Sequence, residues 1–327
     1  MLPEDPSPTH RLALADFETA LGKIAPEFLN SPQYNCEPLS DILGCVLTLK
    51  VETANPIRSF KGRGANYLVQ SMRHDEGRIV SASAGNWGQA LAYCCRQSNR
   101  ELIMFASVNA NPLKLERMRA LGADVRLSGD DFDASKIAAA SFAATGGFRM
   151  VADGLDPEAS IGAGTIAIEL LQNGAPYDAI LVPIGNGAML TGIGRWIKAA
   201  SPQTKVIGVQ SVGADAMEKS WRSGKIIVHD AVSTIADGIA VRVPIPEAVG
   251  DMHDIVDDVL LVDDHHILQA MKLVFEKAGL LVEPSGAAGV AAIVSRQQEF
   301  RNLRVATILC GGNMTADQIN KWILPAA

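Results

Sequence analysis

The sequence has few of the features on which disulfide-bonded, metal-binding and nucleic-acid-binding proteins depend. Its five cysteines are odd in number and include no Cys-x-x-Cys pair: they are Cys36, Cys45, Cys94, Cys95 and Cys310. This spacing favours reduced thiols over a disulfide framework or a zinc site. The net charge of −7, without any basic run, argues against binding to nucleic acid or to another polyanion.

Long apolar runs are also missing. No run reaches the roughly 20 residues that a membrane-spanning helix requires, and the nearest, at 286–294, is mostly alanine and glycine. The start of the chain, MLPEDP, is acidic and broken by prolines, unlike the basic and apolar regions of a secretory signal. We therefore expect no membrane partner and a cytoplasmic location.

What the sequence does contain is enough apolar material for large cores. Hydrophobic residues make up 48% of the 327 residues and charged residues 20%, whereas aromatic residues make up only 5%. These proportions are typical of a soluble globular protein in which helices pack closely on sheets. The length suits two domains, or one large α/β unit with an added lobe.

Short β-rich runs alternate with helical patterns along most of the chain. We predict strands at 45–51, 78–82, 102–106, 125–127, 148–151, 179–183, 205–210 and 305–309, and helices at 61–74, 87–97, 112–120, 134–144, 164–172, 188–200, 264–278 and 286–298. Residues 230–263 are irregular and are expected to form an extended connection that lines the site. The alternation predicts parallel sheets with helices on both faces, which bind ligands in the loops that follow the strands.

Lys61 is the residue from which the functional interpretation starts. It lies between Phe60 and the sequence Gly62-Arg63-Gly64, where a tightly folded chain would enclose it. An enclosed lysine amine is a nucleophile that can form a Schiff base with a carbonyl. The alternative is a lysine at a helix start whose stem packs on Phe60 while its ammonium stays in water.

Two loops that follow predicted strands are suited to binding an anion. The first consists of Ser83, Ala84, Gly85 and Asn86, and the second of Gly185, Asn186, Gly187, Ala188 and Met189. Both open predicted helices, whose first N–H groups have no partner within the helix. An ordinary asparagine cap is the alternative for the first loop. The second lacks the lysine of a nucleoside-triphosphate loop and the third glycine of a dinucleotide fingerprint, but a non-catalytic nucleotide-binding α/β protein stays open.

Two further residues in predicted loops carry a thiol or a hydroxyl group. Cys310 ends a predicted strand and precedes Gly311 and Gly312, so its thiol would face a crevice with space beside it. The alternative is a small buried hydrophobic residue before a turn. Ser285 is expected to cap the helix that begins at Gly286.

In this order, the loops resemble those of the pyridoxal-phosphate-dependent serine/threonine dehydratase family, which has the tryptophan-synthase β-type fold, also called fold type II. The matching blocks lie at 59–65, 83–86, 121–125, 164–169, 236–241, 283–287 and 310–313. The resemblance implies an α/β fold with two open, twisted, mainly parallel sheets, helices on both faces and an active site between domains. It also implies a large cofactor-binding domain (residues 1–60 and 155–327), a small mobile domain (residues 61–154) and a homodimer.

The resemblance further implies how pyridoxal 5'-phosphate would be held. Lys61 would carry it as a Schiff base, with Phe60 beside it. Gly185 to Met189 would bind its phosphate through backbone N–H groups. Asn86 would contact its ring hydroxyl, and Cys310 its pyridine nitrogen. A weak, neutral partner such as Cys310 does not hold the ring nitrogen protonated, which favours elimination over a long-lived carbanion.

Substrate contacts follow from the same resemblance. Ser83 to Asn86 would hold the substrate carboxylate. Arg58 replaces the family's usual glycine before the lysine block and could pair with an anion on the substrate, although a solvated arginine is the alternative. Ala84 stands where racemases related to this family carry a second serine, so Lys61 is expected to be the only side-chain base. Gln210 and Ala216 stand where those racemases bind a divalent metal, so no metal site is expected.

The expected activity is that of a pyridoxal-phosphate-dependent ammonia-lyase. It would catalyse α,β-elimination, in which a small β-hydroxy amino acid such as L-threonine or L-serine loses water and then ammonia to give a 2-oxo acid. Two alternatives within the same fold are β- or γ-replacement, as in threonine synthases, and amino-acid racemisation.

Overall fold

Strands and helices alternate along the chain, as the sequence pattern predicts. The computed structural model describes residues 2–73, 77–110, 112–172 and 176–324. The strands are β1 (Gln33–Asn35), β2 (Val46–Val51), β3 (Ile79–Ala82), β4 (Leu102–Ala106), β5 (Asp124–Leu127), β6 (Arg149–Met150), β7 (Ala179–Pro183), β8 (Lys205–Ser211), β9 (Asp258–Val262) and β10 (Arg304–Leu309). The helices are α1 (Leu14–Lys23), α2 (Glu37–Leu43), α3 (Lys61–Ser71), α4 (Asn86–Gln97), α5 (Pro112–Ala120), α6 (Phe132–Gly146), α7 (Pro157–Gln172), α8 (Ala188–Ala200), α9 (Ala216–Ser223), α10 (Pro246–Met252), α11 (Asp264–Ala278), α12 (Pro284–Ser295), α13 (Gln297–Phe300) and α14 (Ala316–Trp322).

The larger sheet has the strand order β1-β2-β10-β7-β8-β9. Strand β1 pairs antiparallel with β2, and the other described pairs of this sheet are parallel. Residues along β7 alternate between two apolar clusters. Ile180 and Val182 belong to the cluster that includes residues of α8, whereas Ala179 and Leu181 belong to the cluster that includes residues of α12. Helices therefore cover both faces, which explains why β7 and β10 are nearly continuous apolar runs.

The smaller sheet has the strand order β5-β4-β3-β6, and its described pairs are parallel. Its faces are also divided by alternation, because Val80 packs with α6 while Ile79 packs with α4. The predicted fold class, with two mainly parallel sheets and helices on both faces, is confirmed. All four strands of this sheet lie within residues 61–154. The domain boundaries themselves and the mobility of the smaller domain stay predictions.

Helix α3 packs directly against α7 through small residues. A Cβ atom added to Gly64 would lie 2.5 Å from the carbonyl oxygen of Ala159, and one added to Gly162 would lie 2.7 Å from that of Arg63. The two helix backbones thus touch where glycine leaves room. This close contact also explains a difference from the sequence prediction. Helix α7 begins at Pro157 and not at residue 164, because Gly162 and Gly164 serve packing and do not break the helix.

Three other predicted elements differ from the structure. The helix predicted at 286–298 is divided into α12 and α13. Residues 230–263 contain α10 and β9, so the predicted extended connection is wrong for its second half, where the apolar run of β9 pairs with β8. The first predicted helix ends at Ser71 in α3, and its predicted end at His74 lies outside the described residues.

A buried ion network joins α3 to β2 and α7. The Arg63 guanidinium lies 2.8 Å from Glu52 and 2.6 Å from Glu169, and the Lys50 amine lies 2.5 Å from Glu169. Burial alone would lower the pKa of Arg63, but Glu52 and Glu169 hold it above its ordinary value. Burial likewise opposes ionisation of Glu169, yet Arg63 and Lys50 keep its pKa low. Each acidic group of the network therefore lies within 2.8 Å of a basic one.

Replacement of Arg63 by methionine should lower the free energy of unfolding by about 3–5 kcal/mol, because Glu52 and Glu169 would stay buried without their main partner. Urea unfolding at neutral pH measures this change. The control is Arg296→Met, which breaks an exposed pair with Glu299 at 3.4 Å and should cost less than about 1 kcal/mol. Equal losses in the two variants would contradict a structural role for the network.

Candidate active site

One cavity of about 640 Å³ brings the loops after the strands of both sheets together. Twelve of the predicted site residues line it: Phe60, Lys61, Ser83, Ala84, Gly85, Asn86, Gly185, Asn186, Gly187, Ala188, Met189 and Cys310. Arg58 is not part of the described lining. Its side chain is exposed and its backbone adopts φ of +54°, so we do not assign it to the site. The irregular segment before α10 also lines the cavity, as expected.

Lys61 is the first residue of α3, and its side chain enters the cavity with only 16% of its surface exposed. The Nζ atom lies 2.6 Å from Oδ2 of Asp153 and 4.4 Å from the centre of the Phe60 ring. The preceding loop is held firmly, since the Phe60 N–H donates to the Cys310 carbonyl at 3.0 Å. The amine is therefore placed in the cavity and not in bulk water, which favours the reactive interpretation over the solvated one.

The loop before α8 forms a cradle of backbone N–H groups. Gly187 precedes the helix with φ of +95°, a conformation that L-residues rarely adopt. A Cβ atom added to Gly185 would lie 2.5 Å from the Gly238 carbonyl oxygen, so this position is also restricted to glycine. The first N–H groups of α8 have no acceptor within the helix, and the helix dipole favours an anion there.

Ser83 supports the start of α4. Its hydroxyl oxygen accepts the N–H groups of Gly85 and Gly88, each at 3.1 Å. Asn86 is the first residue of α4, whose N-cap is Gly85, and its side chain bonds to Glu283 and Asn313, so the alternative of an ordinary asparagine cap is wrong. The Asn86 amide instead faces the cavity, where it takes part in a second network.

This second network centres on Glu283, which is 5% exposed. Its carboxylate accepts hydrogen bonds from the Asn86 amide at 2.7 Å, the Ser285 hydroxyl at 3.1 Å and the Asn313 N–H at 3.1 Å. Burial, followed by the nearby charge of Asp237, raises the pKa of Glu283 to about 7 despite these donors. Sequence reasoning missed Glu283 and Asn313 as site residues. It also assigned Ser285 to a helix cap, whereas the hydroxyl bonds to Glu283.

Cys310 lies at the carboxyl end of β10, and its thiol lines the cavity although the residue is 5% exposed. Burial, followed by the charge of Glu283, holds the pKa of this thiol well above its ordinary range. The group is thus a neutral thiol at physiological pH. It can serve as a weak partner for a neutral ring nitrogen, and it is too weak an acid to hold such a nitrogen protonated.

Asp153 is the residue of the cavity that sequence reasoning missed most clearly. It lies in the loop between β6 and α7, is 9% exposed, and pairs with Lys61. The signal that could have found it is its position, since an acid three residues beyond the end of a strand lies where α/β sheets bind ligands. A carboxylate therefore contacts the amine that was expected to act alone.

Polar pairs cross the cavity mouth from the smaller sheet to the larger one. Lys114 on α5 pairs with Asp237, and Arg242 pairs with Asp133 at the start of α6. Two further contacts strengthen the connection: Arg242 lies 3.3 Å from Asp131, and Arg117 donates to Asn313 at 3.2 Å.

In the described part of the chain, no group of acidic, histidine or cysteine side chains is arranged to hold a metal ion, and no helix is long and apolar enough to span a bilayer.

Known proteins with similar sequences act on amino acids. The family model described as pyridoxal-phosphate dependent enzyme matches residues 24–311. The biosynthetic L-threonine dehydratase of Pasteurella multocida is 31% identical over 288 residues, which are 87% of this chain and 56% of the relative. An L-threonine ammonia-lyase of Geobacter sulfurreducens is 33% identical over 283 residues, 86% of this chain and 70% of the relative. The chain thus spans little more than half the length of the first of these relatives.

Solved structures give the same picture. The processed form of threonine deaminase isoform 2 from Solanum lycopersicum superimposes with a TM-score of 0.86 at 28% identity, covering 98% of this chain and 90% of that one. Maize serine racemase superimposes with a TM-score of 0.88 at 26% identity, covering 94% and 95% of the two chains. The same fold therefore carries both eliminating and racemising relatives.

Replacement of Glu283 by glutamine should flatten the pH dependence of stability. The pKa of Glu283 is about 7 in the folded chain, whereas its ordinary value is 4.5. Between these values the folded state binds more protons than the unfolded state, so this group makes stability fall as pH rises. Urea unfolding at about pH 5 and pH 8 should show a smaller fall for Glu283→Gln than for wild type. The control, Glu299→Gln at an exposed position, should keep the wild-type fall, and equal slopes in all three proteins would contradict the assignment.

Proposed function

This chain belongs to the family of pyridoxal-phosphate-dependent enzymes, and from that premise we propose that it is an ammonia-lyase acting on a small β-hydroxy amino acid such as L-threonine or L-serine. The product would be a 2-oxo acid with release of ammonia. One observation carries the proposal: the Lys61 amine, the N–H cradle of α8 and the Ser83 to Asn86 loop line a single cavity. A non-catalytic nucleotide-binding protein does not agree with the family membership.

The cavity fits the cofactor of this family. The glycine-restricted loop at Gly185 and Gly187 offers backbone N–H groups to a phosphate. Lys61 offers an amine to an aldehyde, Asn86 an amide to a ring hydroxyl, and Cys310 a neutral thiol to a ring nitrogen. When bound, pyridoxal phosphate supplies an electron sink for the Cα of the substrate.

The side chains of the cavity would then divide the remaining work. The Lys61 amine removes the Cα proton as general base. The first N–H groups of α4 and the Ser83 hydroxyl bind the substrate carboxylate, because Ser83 already accepts two N–H groups and has its own proton to donate. The neutral Cys310 thiol keeps the electron sink mild, which favours loss of the β-hydroxyl. Ala84 offers no proton on its side of the cavity, which argues against racemisation.

We also propose a homodimer in the cytoplasm. The homodimer is supported by the resemblance to the dehydratase family, and the cytoplasmic location by the number and spacing of the cysteines, which favour reduced thiols. Light scattering coupled to size-exclusion chromatography measures the mass of the assembly directly.

The proposed reaction can be tested with a panel of amino acids. The protein loaded with pyridoxal phosphate should convert L-serine or L-threonine to a 2-oxo acid and ammonia in equal amounts, without inversion of the remaining substrate. In the loaded wild type, the Schiff base should give an absorbance band in the visible range that borohydride reduction removes. Replacement of Lys61 by alanine should abolish this band and should lower 2-oxo acid formation by about 10²–10⁴-fold or more.

The matched control for that experiment is Lys272→Ala, which removes an exposed lysine on α11 and should leave both the band and the rate unchanged. Three outcomes would contradict the proposal. They are inversion without 2-oxo acid, formation of a replacement product only, and normal turnover by the Lys61 variant.

Replacement of Gly187 by alanine should weaken binding of pyridoxal phosphate by about tenfold, because relief of the φ of +95° distorts the N–H cradle. Absorbance titration of the cofactor-free protein measures the affinity. The control is Gly224→Ala, another glycine with positive φ, which has nothing within 4 Å of its added Cβ atom. An unchanged affinity for the Gly187 variant would remove the cradle from the cofactor site.

A further inference from the structure

The Asp153 carboxylate is placed to act on Lys61. Its Oδ2 atom lies 2.6 Å from the Lys61 Nζ and 3.4 Å from the Asn186 amide nitrogen. Among the described side chains, Lys61 is the cation paired with it. Asp153 also lines the cavity that holds the proposed reaction. Its contact is therefore with the reactive nitrogen itself and not with a peripheral charge.

The loop that carries Asp153 is held from several sides. Gly154 adopts φ of +83°, and a Cβ atom added there would lie 2.4 Å from the Asn186 carbonyl oxygen, so the two loops touch through backbone. The Asp156 carboxylate accepts the Ala152 N–H at 2.6 Å and closes the turn. The Arg11 guanidinium donates to the carbonyl oxygens of Gly154 at 3.1 Å and of Leu155 at 2.6 Å. The position of Asp153 is thus built into the fold.

The titratable groups next to the Asp153 loop and across the cavity have their own partners or are neutral. They are Asp156 and Arg149, which pair at 2.8 Å, Arg11, which pairs with Asp251 at 2.6 Å, and Glu283 and Cys310. The remaining charged groups of the lining are Lys114, which pairs with Asp237, Arg242, which pairs with Asp131 and Asp133, the half-buried Lys136 and the exposed Asp230. Burial raises the pKa of the Cys310 thiol and that of Glu283, so neither carries a full charge at neutral pH. The charge nearest to the Lys61 nitrogen that can stabilise a proton on it is therefore Asp153.

We propose that Asp153 is a positioning residue that holds the proton of the Lys61 nitrogen once that nitrogen has joined the cofactor aldehyde. This inference rests on the proposed function. No bond of Asp153 forms or breaks: its carboxylate accepts a hydrogen bond from the N–H of Lys61. A protonated C=N carbon is the better electrophile, so the contact prepares the site for the amine of the incoming amino acid.

The pH dependence of the visible band of the loaded protein tests this proposal without relying on turnover. An opposite charge in contact favours the protonated nitrogen, so Asp153→Asn should move the midpoint of the band's pH titration downward by about one to three pH units. The second expected effect is slower displacement of the Lys61 amine from the bound cofactor by the amine of an added amino acid at neutral pH, measured by stopped-flow absorbance.

Two further variants separate charge from packing. Asp153→Glu keeps the carboxylate, so the midpoint of its pH titration should stay close to that of wild type. Asp230→Asn removes an exposed acid from the lining of the same cavity and should leave the midpoint in place. Thermal unfolding followed by circular dichroism verifies that each variant is folded.

The outcomes distinguish this inference from the proposed function. A visible band whose midpoint is the same in wild type and Asp153→Asn overturns the role of Asp153 and leaves the cofactor site intact. A downward shift of equal size in Asp230→Asn also overturns it, because the loss of any negative charge from the cavity would then have the same effect. If wild type forms no band with pyridoxal phosphate that borohydride removes, the proposed function fails first.

Discussion

The buried ion network around Arg63 is the constraint on which the site depends. Residues two apart on a helix point in directions that differ by roughly 200°, so Lys61 and Arg63 face opposite sides of the start of α3. Arg63 is fully buried and must keep its partners on β2 and α7, because an unpaired charge at that depth would be very costly. Its fixed position determines where α3 begins, and thereby directs the Lys61 amine into the cavity.

Local signals in the sequence were sufficient for the parts of the site that a single loop can build. The glycines at 185 and 187 before an apolar helix predict an N–H cradle, and the structure shows one of them at positive φ and the other at a close backbone contact. The glycine-rich neighbourhood of Lys61 indicates tight packing, but its role as the Schiff-base lysine came from the resemblance to the family and stays a prediction. The alternating strands and helices were enough to predict parallel sheets with helices on both faces, whereas the division into two sheets came from the resemblance to the family.

Contacts between distant segments could not be read in the same way. Asp153 and Lys61 are separated by 92 positions, and Asn86 and Glu283 by 197. No local pattern marks such pairs, which exist only because two sheets place their strand ends around one cavity. Arg58 is close in sequence to Lys61, yet its side chain is exposed and its backbone has a positive φ. Its pairing with a substrate anion stays a prediction, and the alternative of a solvated arginine stays open.

The buried Cys310 bears on how the site distinguishes between two nucleophiles. An aldehyde that enters the cavity meets an amine and a thiol, and a thiolate would be the stronger competitor for it. Because burial keeps the Cys310 sulfur protonated, the thiol would not capture the carbonyl, and the reaction that we propose for the Lys61 amine would have no rival. Depth beneath the protein surface thus provides chemical selectivity in cofactor loading that the two side-chain types would not provide in water.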